Sequence, residues 1–150
     1  MLRRPIQVHI HKQLRLALAA ATMLALLAGT AVAAATAFSL QLNLAGGYAN
    51  GELTACSLRH HYVFFHQRAA IAIKGSVAPT PSGTWEVKVK VKQCLRGRFR
   101  TVWFRHAPGH VDGTFKTSYP TPQRGYFFAR AYYYGVTPAA RTDKQYFRVR

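Results

Sequence analysis

Residues 85–92 read Trp-Glu-Val-Lys-Val-Lys-Val-Lys, and no other stretch constrains the fold of this chain as strongly. In an extended chain Trp85, Val87, Val89 and Val91 fall on one side, and Glu86, Lys88, Lys90 and Lys92 on the other. A helix would scatter both sets around its axis. A strand, whose side chains alternate at period two, places one set in a core and the other in water. The segment therefore reads as a β-strand buried on one side, with Lys88, Lys90 and Lys92 exposed. Its apolar side needs a second layer to cover it.

The chain beyond residue 36 continues in this manner, in short alternating or aromatic runs with no helical periodicity. Leu40, Leu42 and Leu44 alternate with polar residues. Tyr62 to His66 and Ala69 to Val77 follow, the latter with Ile71 and Ile73 inward. Phe99 to Arg105 and Thr114 to Ser118 come after the valine-lysine strand. Tyr126 to Tyr134 carries Phe127, Ala129, Ala131 and Tyr133 on one face, and Gln145 to Val149 ends the series with Phe147 and Val149 inward. Gly46-Gly47, Asn50-Gly51, Arg96-Gly97, Pro108-Gly109 and Asp112-Gly113 mark the breaks. Eight strands at this spacing predict one all-β domain, an antiparallel sandwich over residues 37–150. Parity puts Cys94 with the lysines, so the strand ends before it or bulges near Gln93.

From Ile73 to Val149 the order of patterns is Ile73-Lys74-Gly75-Ser76-Val77, a Pro/Gly turn, the strand from Trp85, and Gly97-Arg98-Phe99. Then come Asp112-Gly113-Thr114-Phe115, Gly125-Tyr126-Phe127, Ala129-Arg130-Ala131-Tyr132 and Phe147-Arg148-Val149. This order resembles the bacterial immunoglobulin-like or fibronectin-III-like domains of secreted and cell-surface proteins. The resemblance implies an immunoglobulin-like β-sandwich of about seven to eight strands. That fold hosts many activities and implies none by itself.

Residues 1–36 have the three zones of a signal peptide. Arg3, Arg4, Lys12 and Arg15 precede an apolar run from Leu16 to Ala28, and small residues with Ala-x-Ala sites follow at Ala31/Ala33, Ala33/Ala35 and Ala35/Ala37. The alternative is an uncleaved anchor, since no charged residue occurs between Leu16 and Glu52. Either way the positive-inside rule places the domain in the extracytoplasmic space. The two cysteines, Cys56 and Cys94, both fall in the exported part, where an even count favours a disulfide. Closing that span stabilises by about 3–4 kcal/mol on the chain-entropy account.

Few residues offer chemistry. The four acids are Glu52, Glu86, Asp112 and Asp143, each near a turn or among lysines, and no nucleophile elbow, zinc helix or phosphate loop is present. His60, His61 and His66 lie close in sequence, and His106 and His110 flank a Pro-Gly turn. Adjacent histidines on a strand point to opposite faces, which opposes chelation, so neither a metal nor a cofactor is expected.

Charge is the stronger signal. Loss of the four leader cations takes the formal net charge from +17 to +13, a surface that attracts polyanions. Lys88, Lys90 and Lys92 repeat about 7 Å apart along the strand, and Arg98 and Arg100 follow on the next one. Together they form the candidate site for an anionic cell-envelope polymer or polysaccharide, beside an outward row of Tyr126, Phe128, Tyr132 and Tyr134. The sequence thus reads as a secreted, non-enzymatic binding or surface-interaction module. No specific nucleic acid is expected as partner, and the membrane enters only through an uncleaved N-terminal segment. The rival readings are a cationic effector acting on envelope polymers, membrane or nucleic acid, and a small secreted hydrolase. Mass spectrometry of the exported protein should find an N-terminus between residues 33 and 38; full-length chain held in the membrane would identify the anchor instead.

Overall fold

The computed structural model of the chain describes residues 37–150, so the leader read at residues 1–36 lies outside the described residues. Ten strands follow in order: β1 (Ser39–Ala45), β2 (Ala49–Ala55), β3 (Leu58–Phe65), β4 (Ala70–Ala78), β5 (Glu86–Leu95), β6 (Arg98–Pro108), β7 (Thr114–Pro120), β8 (Gly125–Tyr133), β9 (Ala140–Arg141) and β10 (Gln145–Val149). They form a small sheet, β1-β4-β7, and a large one, β2-β3-β10-β8-β5-β6, with the short β9 alongside β8. The protein is an all-β fold of two sheets, and no helix occurs among the described residues.

The core is the space between the sheets. Val87, Val89 and Val91 are wholly buried there, joined from the large sheet by Phe127, Ala129, Ala131, Phe147 and Val149. Leu42, Ile71, Ile73, Val77, Phe115 and Tyr119 cover them from the small sheet. Trp85 closes one end, its ring edge-on to Tyr133 at 6.0 Å. Gly109 passes so near that a Cβ there would stand 2.1 Å from the Trp85 ring, so only glycine fits.

Ten strands replace the expected eight because two were not visible as patterns. The short β9 has only two residues. β2 runs through Asn50-Gly51, a pair that ordinarily breaks a strand, and pairs with β3 from Ala49↔Phe64 to Ala55↔Leu58. Its turn is Cys56-Ser57, both residues at positive φ (50° and 62°). A two-residue hairpin of this twist ordinarily draws Asn-Gly, so no turn signal was present. The Arg96-Gly97 turn, also at positive φ (50° and 76°), joins β5 to β6 as expected. The all-antiparallel expectation fails at one pair, since β10 lies parallel to β3, with Phe147 opposite Val63.

Nor does β5 end or bulge near Gln93. Gln93 stays buried on the core side and Cys94 stays on the lysine side. The irregularity belongs to β6, where Val91 faces Trp103 and Lys92 faces Thr101, leaving Val102 as the extra residue.

Cys56 and Cys94 form a disulfide with Cα atoms 5.8 Å apart. In the plane of the sheet β3 and β5 are separated by β10 and β8, three steps of about 4.8 Å each. The bridge therefore requires the β2–β3 hairpin to fold over. Its free end can do so because β10 pairs only with Val63, Phe64 and Phe65. The folded end packs on the outer side of the large sheet as a second cluster of Ala55, Tyr62 and Phe64 against Leu53, Cys94, Tyr126 and Tyr146. Burial, with Tyr146 and Tyr126 adding to it, raises the Tyr62 phenol above its ordinary pKa.

Two stability measurements follow. Val89→Asp should abolish cooperative thermal unfolding because it buries an unpaired charge, while Lys90→Gln should cost about 1 kcal/mol or less. Ser57 is exposed at φ 62°, so Ser57→Gly should stabilise by about 1 kcal/mol in urea titration.

Candidate functional site

The face of the large sheet turned away from the small one carries the candidate site. Strand parity places Lys88, Lys90 and Lys92 there, opposite Tyr132, Arg130 and Phe128 of β8 respectively. On the other side of β5, Lys88 and Lys90 face His106 and Phe104 of β6. Cations and rings are thus interleaved across β6, β5 and β8. The Lys88 Nζ lies 4.7 Å from the centre of the Phe104 ring, Lys90 Nζ 4.8 Å from Tyr132, and Lys92 Nζ 5.9 Å from Phe128. Lys144 lies over the Phe128 ring as well, at 5.3 Å, and Arg148 over Tyr126 at 4.8 Å.

These contacts correct the expectation of fully exposed lysines. All three are half-buried, because their methylene stems and ammonium groups lie along aromatic surface. Each such contact is worth about 0.5–1 kcal/mol at an exposed site and holds the cation in place. Phe128, expected in an open aromatic row, is only 5% exposed. Phe99 and Tyr146 pack beside it, and the two lysines lie above. The rings that stay open are Phe104 and Tyr134, each 57% exposed. Tyr134 stacks nearly parallel on Tyr132 at 6.2 Å.

Arg98 and Arg100 do not join the lysines. Arg100 pairs with Gln93 and Arg98 with Leu95, while Phe99 and Thr101 are the β6 residues on the lysine side. Residues directly opposite across two strands share a face, so both arginines project from the other side of the sheet. Arg130 takes their place. It sits opposite Lys90, half-buried among the rings, and its Nε is buried with no hydrogen-bond partner. Arg130, Lys144 and Arg148 were missed from sequence. Parity within Phe128-Ala129-Arg130-Ala131-Tyr132 was enough to find Arg130; the other two need the strand order.

Acids are few on this face. Glu86, at the end of β5, accepts from His106 Nδ1 at 2.5 Å. Glu52 is paired with Arg59 on the β2–β3 hairpin. Asp112 accepts from both the hydroxyl and the amide of Thr114, which lowers its pKa, the hydroxyl contributing most. The histidines disperse: His60 stacks on Tyr146, His66 on Tyr48, and His110 lies at the β6–β7 connection. Among the described residues no three metal-ligating side chains come together. The arrangement can hold anions by charge and flat groups by stacking. The chain matches no protein-family model and no curated protein.

Proposed function

We propose that the protein is an exported, non-enzymatic binding module whose outer sheet face takes an anionic polysaccharide or similar envelope polymer. One observation carries this reading: three lysines at alternate positions of β5 are each held over an aromatic ring beside open rings of Phe104 and Tyr134. A polymer that repeats both charge and flat apolar surface meets such a face at several points at once. Carboxylates or phosphates meet cations already fixed in position, so little side-chain freedom is lost on binding. The rings then stack on sugar faces between the charges. The Cys56–Cys94 disulfide is consistent with an oxidising, extracytoplasmic compartment.

The immunoglobulin-like reading belongs to the same proposal. Two mainly antiparallel sheets over a shared core support it. The disulfide departs from the inter-sheet bridge of antibody domains, because both cysteines belong to the large-sheet side.

Retention on immobilised polygalacturonate, with polyphosphate as a sugar-free comparison, tests the proposal. Binding should weaken steeply with salt, as counterion release requires. Reversing Lys88 and Lys90 to Glu should lower affinity by about tenfold or more, since two charge contacts are lost. The same reversal at Arg98 and Arg100, on the opposite side of the sheet, should cost clearly less. Phe104→Ala should weaken polygalacturonate binding and leave polyphosphate unchanged. Equal losses from the two double variants would reduce the interaction to bulk charge.

A further inference from the structure

We infer that the fork between β6 and β7 is a binding site for the phosphate group of a small phosphate monoester. The isolated bridge Gly109↔Phe115 joins the end of β6 to the start of β7. In it the His110 amide donates to the Thr114 carbonyl at 2.8 Å, which sets the Lys116 amide against the Pro108 carbonyl. The ladder stops there. Pro108 has no N–H to return to the Lys116 carbonyl, and the two strands continue into different sheets. Where they part, an open cleft of about 440 Å³ forms, lined by Arg105, Pro108, His110, Lys116, Thr117 and Ser118 among others. That is the size of a small-molecule site.

The charged side chains at the fork are all cations. Arg105 faces Val89 and so projects from the side of β6 opposite Phe104, away from the lysine-aromatic face. Lys116 lies directly opposite Lys74 of β4. Because the backbone groups of Lys116 turn towards β6, the two lysines form a non-hydrogen-bonded pair, the closer kind, with Cβ atoms about 5 Å apart. Like charges placed this way repel. All three cations are exposed, and neither ion pair among the described residues, Arg59–Glu52 or His106–Glu86, includes any of them. No carboxylate lines the cleft, and Asp112, just before β7, is taken up by Thr114.

An anion held between Lys74 and Lys116 turns their repulsion into two attractions, and Arg105 on the β6 wall can grip two further oxygens in bidentate fashion. A carboxylate brings one charge to these three. A phosphate monoester brings about −1.5 to −2 near neutral pH and three acceptor oxygens, and the Ser118 hydroxyl adds a neutral donor on the same wall. A phosphodiester inside a polymer carries a single charge and has its third oxygen esterified, so it fits less well. This site is separate from the polymer face, and either can fail without the other.

The test titrates the ¹⁵N-labelled full chain with methyl phosphate, using dimethyl phosphate as the singly charged comparison. Methyl phosphate should give saturable shifts centred on the Lys74, Lys116 and Ser118 amides and the Arg105 side chain. Dimethyl phosphate should bind about tenfold more weakly, since a charge and an acceptor oxygen are lost; this comparison needs no variant to fold. Arg105→Gln and Lys116→Gln should each lower the affinity for methyl phosphate by about fivefold or more. The double variant Lys88→Gln, Lys90→Gln should change it by less than about twofold, because salt screens charges that far away. Without ligand, Lys116→Gln should unfold at the same temperature as the unaltered protein or higher, because it removes a like-charge pair. A large drop would overturn the repulsion on which the site rests. Shifts centred on the lysine-aromatic face would overturn the site, as would losses from the lysine double variant equal to those from Arg105→Gln. Equal affinity for the two phosphates would overturn the choice of a monoester.

Discussion

Burial of one side of β5 fixes almost everything else about this domain. Val87, Val89 and Val91 are wholly inaccessible to water, and each such side chain is worth roughly 1.5–3 kcal/mol. A slip of one residue would exchange valines for lysines in the core. The register of β5 against β6 and β8 is therefore held firmly, and with it the facing of every residue on those strands. Ala129 and Ala131 pack inward only because Arg130 and Tyr132 face outward. The extra residue at Val102 shows the same priority. β6 absorbs an irregularity in its own backbone while β5 keeps strict alternation through Gln93 and Cys94.

On the outer side of the same sheet the β2–β3 hairpin covers one part of the surface. Folded over and tied to β5 through Cys56–Cys94, the hairpin makes a second apolar cluster around Tyr62. That cluster borders the cationic rows: Tyr126 carries Arg148 above it, and Tyr146 packs against Phe128 beneath Lys92 and Lys144. The disulfide thus supports a fold of the chain whose visible consequence is a set of ordered cations.

Much of this was legible in the residues. Inward-facing Ile71, Ile73, Phe127, Ala129, Ala131, Phe147 and Val149 all follow from alternation, and all are buried. β2 was not legible, because its turn uses Cys56 and Ser57 at positive φ in place of glycine or asparagine, and because Asn50-Gly51 falls inside the strand. The candidate site was half legible. The three lysines were found by period two, but Arg98 and Arg100 were assigned to their side as if β6 alternated without interruption in step with β5. The register across the Arg96-Gly97 turn puts Phe99 and Thr101 there instead.

By itself the sequence determined which side of β1, β4, β5, β8 and β10 is apolar, that the two cysteines would pair, and that the chain is strongly cationic. These are properties of alternation, count and charge, and need no partner strand to be read. Only the tertiary structure decided which strands are neighbours, since β10 enters between β3 and β8 from the far end of the chain. That placement sets Arg148 over Tyr126, and the β5 register sets Lys88 over Phe104. It likewise decided the order of strands in each sheet, because pairing between segments distant in sequence depends on the packing of two whole faces and leaves no trace in either segment alone.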